Sequence, residues 1–170
     1  MITRGVVAVL VVCLGASTAV AGKPKAGPAK ALALAWIQAT YKLDDKKPDY
    51  TALAAMTGDG FFAVVVHEQP DGECDVTADD RSKLSEAFEC VKKSNALGNP
   101  LKPWSKKDKK KLWGSLREFG DEIDALAKTN QVFIRYEQGE GITVLSVIAV
   151  GVGADKKPLV TGMYGEESYN

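Results

Sequence analysis

This sequence predicts an α+β fold: N-terminal helices and a long central helix packed on a curved antiparallel sheet of about four strands, ending in a three-stranded meander. Three observations carry that expectation. Residues Gln131 to Gly165 divide into three apolar, β-branched runs separated by two Gly-containing turns. Upstream, Leu32, Trp36, Ala39 and Leu43 fall at helical spacing, as do Leu112, Leu116, Phe119, Ile123 and Leu126. The middle run, Ile142 to Val152, is apolar on both sides, so it belongs inside a sheet with both faces covered.

The chain opens with an export signal. Arg4 precedes the apolar run VVAVLVVCLGA, and Ala19-Val20-Ala21 supplies a small-x-small exit, so cleavage is expected after Ala21. Small residues from Gly15 onward favour removal over retention as a membrane anchor. Cys13 follows the bulky Val12, which disfavours a lipid-modified cysteine. Residues 22–30 read as a flexible Lys-, Pro- and Gly-rich leader, and 31–170 as a single domain, large enough for a core without staples. The protein is thus expected in the periplasm or outside the cell, with no membrane span after cleavage. Lys plus Arg number 22, as do Asp plus Glu, so charge supplies no case for nucleic acid.

Ala29 to Leu43 reads as an amphipathic helix with Trp36 anchoring the core; stacking on a ligand is the functional alternative for that ring. Asp49 starts a shorter helix, Tyr50 to Thr57, which Gly58 is placed to end in a left-handed conformation before an Asp59-Gly60 turn. Phe61 to His67 is a strand. His67, the sole histidine, is either a strand-end residue facing water or hydrogen-bonded locally, or a proton-shuttle or ligand candidate. No carboxylate or cysteine clustering accompanies it, so no metal and no cofactor are expected.

Cys74 and Cys90 remain after signal removal, and in an exported chain they read as one disulfide. The bridge limits the helix between them, because the Cα atoms must come within about 7 Å. A helix starting at Ala78 sets Cys90 about 18 Å along its axis, at 1.5 Å per residue. The return path from Cys74 spans only about 13 Å when fully stretched. The helix is therefore expected from about Ser82 to Lys92, with Leu84, Ala87, Phe88 and Val91 inward and an extended Cys74 to Asp79 running back along it. The closed loop is worth about 3 kcal/mol.

After the Pro-rich Leu97 to Trp104, Ser105 and Asp108 have capping-box spacing at the head of the long helix. Lys106, Lys107, Lys109, Lys110 and Lys111 crowd its first turns, where the helix dipole disfavours cations. They are either a solvated face or an anion-binding patch. Gly114 and Gly120 weaken the helix, and Gly120-Asp121 marks a kink.

In the meander, Val132, Ile134 and Tyr136 make the dry side of the first strand, and Phe133, Arg135 and Glu137 its mixed side. Gln138 to Gly141 turns the first hairpin and Gly153 to Lys157 the second. Pro158 opens the last strand, which runs to Tyr164.

The cadence Tyr41-Lys42-Leu43, then Asp49 to Thr57, then Phe61-Phe62 opening a strand, resembles the nuclear-transport-factor-2-like superfamily, which includes ketosteroid isomerase and polyketide cyclases. The resemblance implies a cone of curved sheet wrapped by helices around a pocket. It lies in element order, departs in a long insertion from Leu97 to Asn130 and a scarcely visible second strand, and transfers no catalytic residue. Phosphate loops, dinucleotide fingerprints, zinc spacings and nucleophile elbows are absent from the sequence. The expectation is a non-catalytic binding module for a small molecule or protein, with Trp36, His67, Arg135 and Tyr136 as ligand-pocket residues. The alternatives are a small isomerase- or cyclase-like pocket enzyme, and an envelope-associated structural protein acting through the lysine run.

Overall fold

A computed structural model of the protein describes residues 23–43, 46–69, 72–88, 100–139 and 142–169; for 67–69, 72–78, 138–139, 142 and 169 it describes the backbone alone. The export signal and Cys90 lie outside the described residues, as does the Cys74 side chain, and so does the disulfide between the two cysteines. No described helix is long and apolar enough to cross a membrane.

Two helices lead. α1 (Ala26–Thr40) starts within the stretch read as leader, and buries Ala29, Ala33, Trp36 and Ile37. Small alanines on its inner stripe let the helix lie close to the sheet, with Trp36 filling the remaining width. α2 (Thr51–Met56) begins where the Asp49 carboxylate accepts the Thr51 N–H at 2.9 Å. Gly58 does not cap it. β1 (Thr57–Gln69) starts directly at the helix end, so Gly58, Asp59 and Gly60 are strand rather than turn. The cause is Thr57: its hydroxyl donates to Leu53 O at 2.7 Å, tying off the helix without a left-handed residue.

β2 (Gly72–Ala78) is a full strand paired antiparallel with β1 from Ala63↔Ala78 to Gln69↔Gly72, where sequence reasoning expected only an extended connector. The helix expected from Ser82 also differs. Two 3₁₀ turns, Arg81–Lys83 and Glu86–Phe88, stand in the described part of its place. Asp80 accepts the Ser82 N–H at 2.7 Å and starts the first. Leu84 and Ala87 are three apart, and three residues make one 3₁₀ turn, so the inward stripe survives the change of helix type. Val91 lies outside the described residues.

The long central helix is likewise broken. After the two-residue β3 (Lys102–Pro103) come 3₁₀ segments Lys106–Lys111 and Gly114–Phe119, then α3 (Gly120–Thr129). Gly114 has φ +49°, and a Cβ there would run into the Glu166 carboxylate. That carboxylate accepts the Leu116 N–H at 3.2 Å. An unbroken helix would engage this N–H internally, so a buried glutamate fifty positions away competes with the helix and wins. The inward set Leu112, Leu116 and Ile123 is nonetheless buried as its spacing predicts.

β4 (Gln131–Gly139), β5 (Ile142–Val152) and β6 (Pro158–Tyr169) form the expected antiparallel meander. The sheet has six strands rather than about four, in the order β2-β1-β6-β5-β4-β3. It is mixed rather than antiparallel, because β1 runs parallel to β6. Parallel neighbours need a long crossover, and everything from β2 to β5 provides it. At Thr161 the β5–β6 register slips by one residue, a bulge that bends the ribbon. The bulged hydroxyl donates to Asn130 Oδ1 at 2.9 Å.

Both faces of β5 are covered by helical layers. Ile148 and Val150 join Trp36, Phe61 and Leu53 under α1 and α2. Leu145, Val147 and Ala149 join Leu112, Leu116 and Ile123 on the opposite side.

Candidate functional site

Two places combine space with polar groups that sequence reasoning singled out, one on each face of the sheet. The first lies under the end of α1. Alternation along β4 puts Phe133, Arg135 and Glu137 on the α1 side, and Tyr41 follows the last helical turn directly above them. The Tyr41 hydroxyl donates to Glu137 Oε2 at 3.0 Å, Arg135 pairs with Oε1 of the same carboxylate, and the guanidinium carbon stands 5.6 Å from the Tyr41 ring centroid. Arg135, Glu137 and Glu167 are 7%, 3% and 5% exposed. The side of β4 read as mixed is thus the drier one here, whereas Tyr136, read as dry, is 44% exposed. Burial pushes the Tyr41 hydroxyl up, the Arg135 charge pulls it down, and Glu167 adds to the rise.

Backbone register extends this cluster sideways. Glu137 pairs with Val144, Val144 with Glu167, Glu167 with His67, and His67 with Cys74. The sole histidine therefore occupies the row that holds the two buried glutamates. β6 reaches this row because it continues five residues past Tyr164, the end expected from its composition. The free space beside the cluster is small. A cavity of about 60 Å³ is bounded by Trp36, Thr40, Tyr41, Ser146 and Glu167 among others, enough for a few waters. Trp36 plugs its inner end, 6.1 Å from the Phe61 ring and 5.7 Å from Phe88, and donates from Nε1 to Thr57 Oγ1 at 3.1 Å. It serves as a core anchor.

The second place is a cleft of about 310 Å³ on the opposite face, between the β3–β4 edge and the lysine-rich turn. Ile134 and Leu145 form its floor, Tyr136 one wall, and Lys102, Asp108 and Lys111 the polar rim. Trp113 meets the Tyr136 ring edge-on, with centroids 5.0 Å apart and planes at 89°, which holds an exposed phenol in place. Asp108 is engaged from three sides. It accepts the Ser105 N–H at 2.9 Å, the Ser105 hydroxyl at 2.8 Å and the Lys111 ammonium at 2.7 Å. This is the acidic half of the expected capping box.

Burial alone raises the Asp108 carboxyl, but the bonds from Lys111 and Ser105 outweigh it and hold the group below its ordinary value. A depressed carboxylate stabilises the fold above its unfolded pKa, and the contribution fades as pH falls through the folded one. Asp108→Ala is therefore expected to cost about 1–2 kcal/mol at neutral pH. In urea titrations the gap to wild type should narrow below about pH 4, the ordinary carboxylate range. A gap that persists unchanged at pH 2.5 would contradict this assignment.

The structure divides the four pocket residues expected from sequence. Trp36 and Arg135 belong to the α1 side, His67 sits in that side's glutamate row by register, and Tyr136 lies across the sheet. The lysine run is divided too. Lys109 is tied to Asp121 at 2.5 Å and Lys111 to Asp108, while Lys106, Lys107 and Lys110 are exposed. Sequence reasoning missed Tyr41, Glu137, Glu167 and Lys102 as site residues. The available signal was two adjacent glutamates continuing an apolar strand. A third, more open hollow lies between α2 and the Arg81 turn, where Arg81 pairs with Asp59 at 2.8 Å; it holds none of the sequence candidates. Among the described residues no group of three or more His, Cys, Asp or Glu is arranged to hold a metal ion.

The molecule is thus a mixed-sheet α+β domain with helical cover on both faces and a lysine-rimmed cleft on one of them. No family model and no curated protein matches the sequence. Among solved structures it is similar to a ketosteroid isomerase-like protein from Erwinia carotovora atroseptica, with TM-score 0.44 and 10% identity over 82% of this chain and 92% of that one.

Proposed function

We propose that this chain is an exported, disulfide-bonded domain that binds a small molecule in the outer cleft without catalysing its conversion. One observation carries the reading: the open space lies outside. About 310 Å³ is available beside Tyr136, against about 60 Å³ beneath α1. Small-molecule sites run from roughly 300 to 1,000 Å³, which excludes the space beneath α1; the hollow of about 550 Å³ between α2 and the Arg81 turn is large enough but more open, so the outer cleft encloses a ligand better. The nuclear-transport-factor-2-like cone belongs to the same proposal. Its support is the element order α1-α2-β1-β2 followed by the meander, with β1 returning beside β6. Cleavage after Ala21, periplasmic or extracellular location and a Cys74–Cys90 bridge are its remaining parts.

A pocket enzyme is the second reading, favoured by the buried Tyr41–Glu137–Arg135 constellation. Those groups are bonded to one another and leave water-sized space, which weighs against a substrate there. The envelope-structural alternative loses force because Lys109 and Lys111 are already committed to carboxylates. Thermal-shift screening of the mature oxidised protein tests the choice. A ligand at a hundred times its Kd adds about 2.7 kcal/mol, several degrees in Tm for a chain of this size. A hit abolished by Tyr136→Ser supports the cleft. A hit that ignores Tyr136→Ser and needs Glu137 transfers the function to the α1 side.

A further inference from the structure

Resting on the cleft as the binding site, the geometry points to its ligand class: we infer a single-chain amphipathic anion, a carboxylate or similar head joined to a medium-length apolar body. The sign comes from the rim. Lys102 and Lys111 face a single carboxylate, Asp108, which already accepts three hydrogen bonds and has little acceptor capacity left for a ligand. Lys111 contributes one of those bonds, whereas Lys102 forms no ion pair among the described residues and is exposed. The adjoining turn adds exposed Lys106, Lys107 and Lys110, so the approach to the cleft is cationic as well.

The apolar half of the ligand follows from the aromatic wall that stands over the buried floor. Ile134 and Leu145 are neighbours on β4 and β5, and both belong to the core cluster of that face. Leu145, 0% exposed, is the cross-strand partner of Tyr136 and Ile134 is 6% exposed, so the apolar surface open to a ligand is the flat Tyr136 ring, which Trp113 holds edge-on. Lys102 pairs with Ile134 in the β3–β4 register, setting a cation directly beside this surface. An inorganic anion leaves the Tyr136 ring unused, and an uncharged chain leaves the ammoniums unused. A cleft of about 310 Å³ is at the small end for ligand sites, which favours one chain over a two-chain lipid.

The test is a tryptophan-fluorescence titration of the mature, oxidised protein with decanoate. Decanol (tail without charge), acetate (charge without tail) and phosphatidylglycerol vesicles serve as the other probes. Saturable decanoate binding is expected, with decanol and acetate each at least about tenfold weaker and vesicles not bound. Lys102→Gln should weaken decanoate about three- to fivefold, as befits one exposed ammonium, and raised salt should mimic the change. Tyr136→Ser should weaken it about tenfold by removing an aromatic wall. Both sites are exposed, and far-UV circular dichroism melts confirm that the variants fold.

Decanoate binding indifferent to both substitutions, equal binding of decanol, or vesicle binding without decanoate binding overturns the inference. If decanoate fails while another screened compound still requires Tyr136, the ligand class is wrong and the cleft remains the site. If no compound responds to Tyr136→Ser, the cleft itself is wrong.

Discussion

Trp36→Ala should lose about 3–5 kcal/mol, the range for truncating a buried large aromatic. Domains of this kind hold only about 5–15 kcal/mol in total, so this one change removes a large share. Trp36 is 1% exposed and wedged between Phe61 and Phe88, with α1 above and the sheet below. Its indole also donates to Thr57, itself buried and bonded to Leu53 O. Truncation thus opens a void and takes a donor from a buried hydroxyl at the junction of α2 and β1. Trp36→Phe separates the two effects: it keeps most of the ring packing and should cost about 1–2 kcal/mol for the lost hydrogen bond and remaining void. The void offers a further check, since dry apolar cavities bind small aromatics. Indole should raise the Tm of Trp36→Ala and leave wild type unmoved. A loss below about 1 kcal/mol in urea titrations would mean that α1 does not pack as described.

Much of this architecture was readable from the chain. The β-branched runs of β4 and β5 and the Gly153 to Lys157 turn appear in the structure at nearly the expected residues, and β6 starts at Pro158 as expected but runs on to Tyr169; the tip of the first turn lies outside the described residues. Doubly apolar β5 is an inner strand with both faces covered, for the reason its pattern implied. What escaped is what depends on distant partners. The stripe Leu112, Leu116, Ile123 says which side faces inward; it does not say whether the backbone between is continuous. That was decided by Glu166, which needs Gly114 without a side chain and Leu116 with a free N–H. The parallel partnership of β1 and β6 has no local signature, because it joins strands from opposite ends of the domain.

The site was less legible than the fold. Arg135 and Tyr136 are adjacent in sequence and therefore on opposite faces of β4, so grouping them in one pocket contradicted the strand's own period of two. Tyr136 instead joins Lys111, and the link between them is the two-residue β3, too short to show as a strand in composition. Sequence reasoning places Glu137 only on the mixed side of its strand, and Glu166 and Glu167 fall beyond Tyr164, the expected end of β6. They are buried because β5 continues between them and Tyr41 closes over one of them.

Arg135→Met is expected to cost about 3–5 kcal/mol, as breaking one side of a buried ion pair does. Glu137 is 3% exposed and accepts from only Arg135 and Tyr41 among the described residues. Without the guanidinium a buried carboxylate keeps one phenol donor, with the Glu167 backbone two strands away in the same row. Removing both charges is a different matter. Arg135→Met/Glu137→Leu places apolar side chains where two desolvated ions stood, and should recover most of the loss, with a coupling of about 2 kcal/mol or more in the double-mutant cycle. Additive losses, each small, would show the pair to be solvated and the interior under α1 open to water. The cycle also bears on function, because the pair and the cleft lie on opposite faces of the sheet. A folded double variant should bind decanoate like wild type if the outer cleft is the site. If the α1 side were the functional one, the same variant would lose its ligand while regaining its stability.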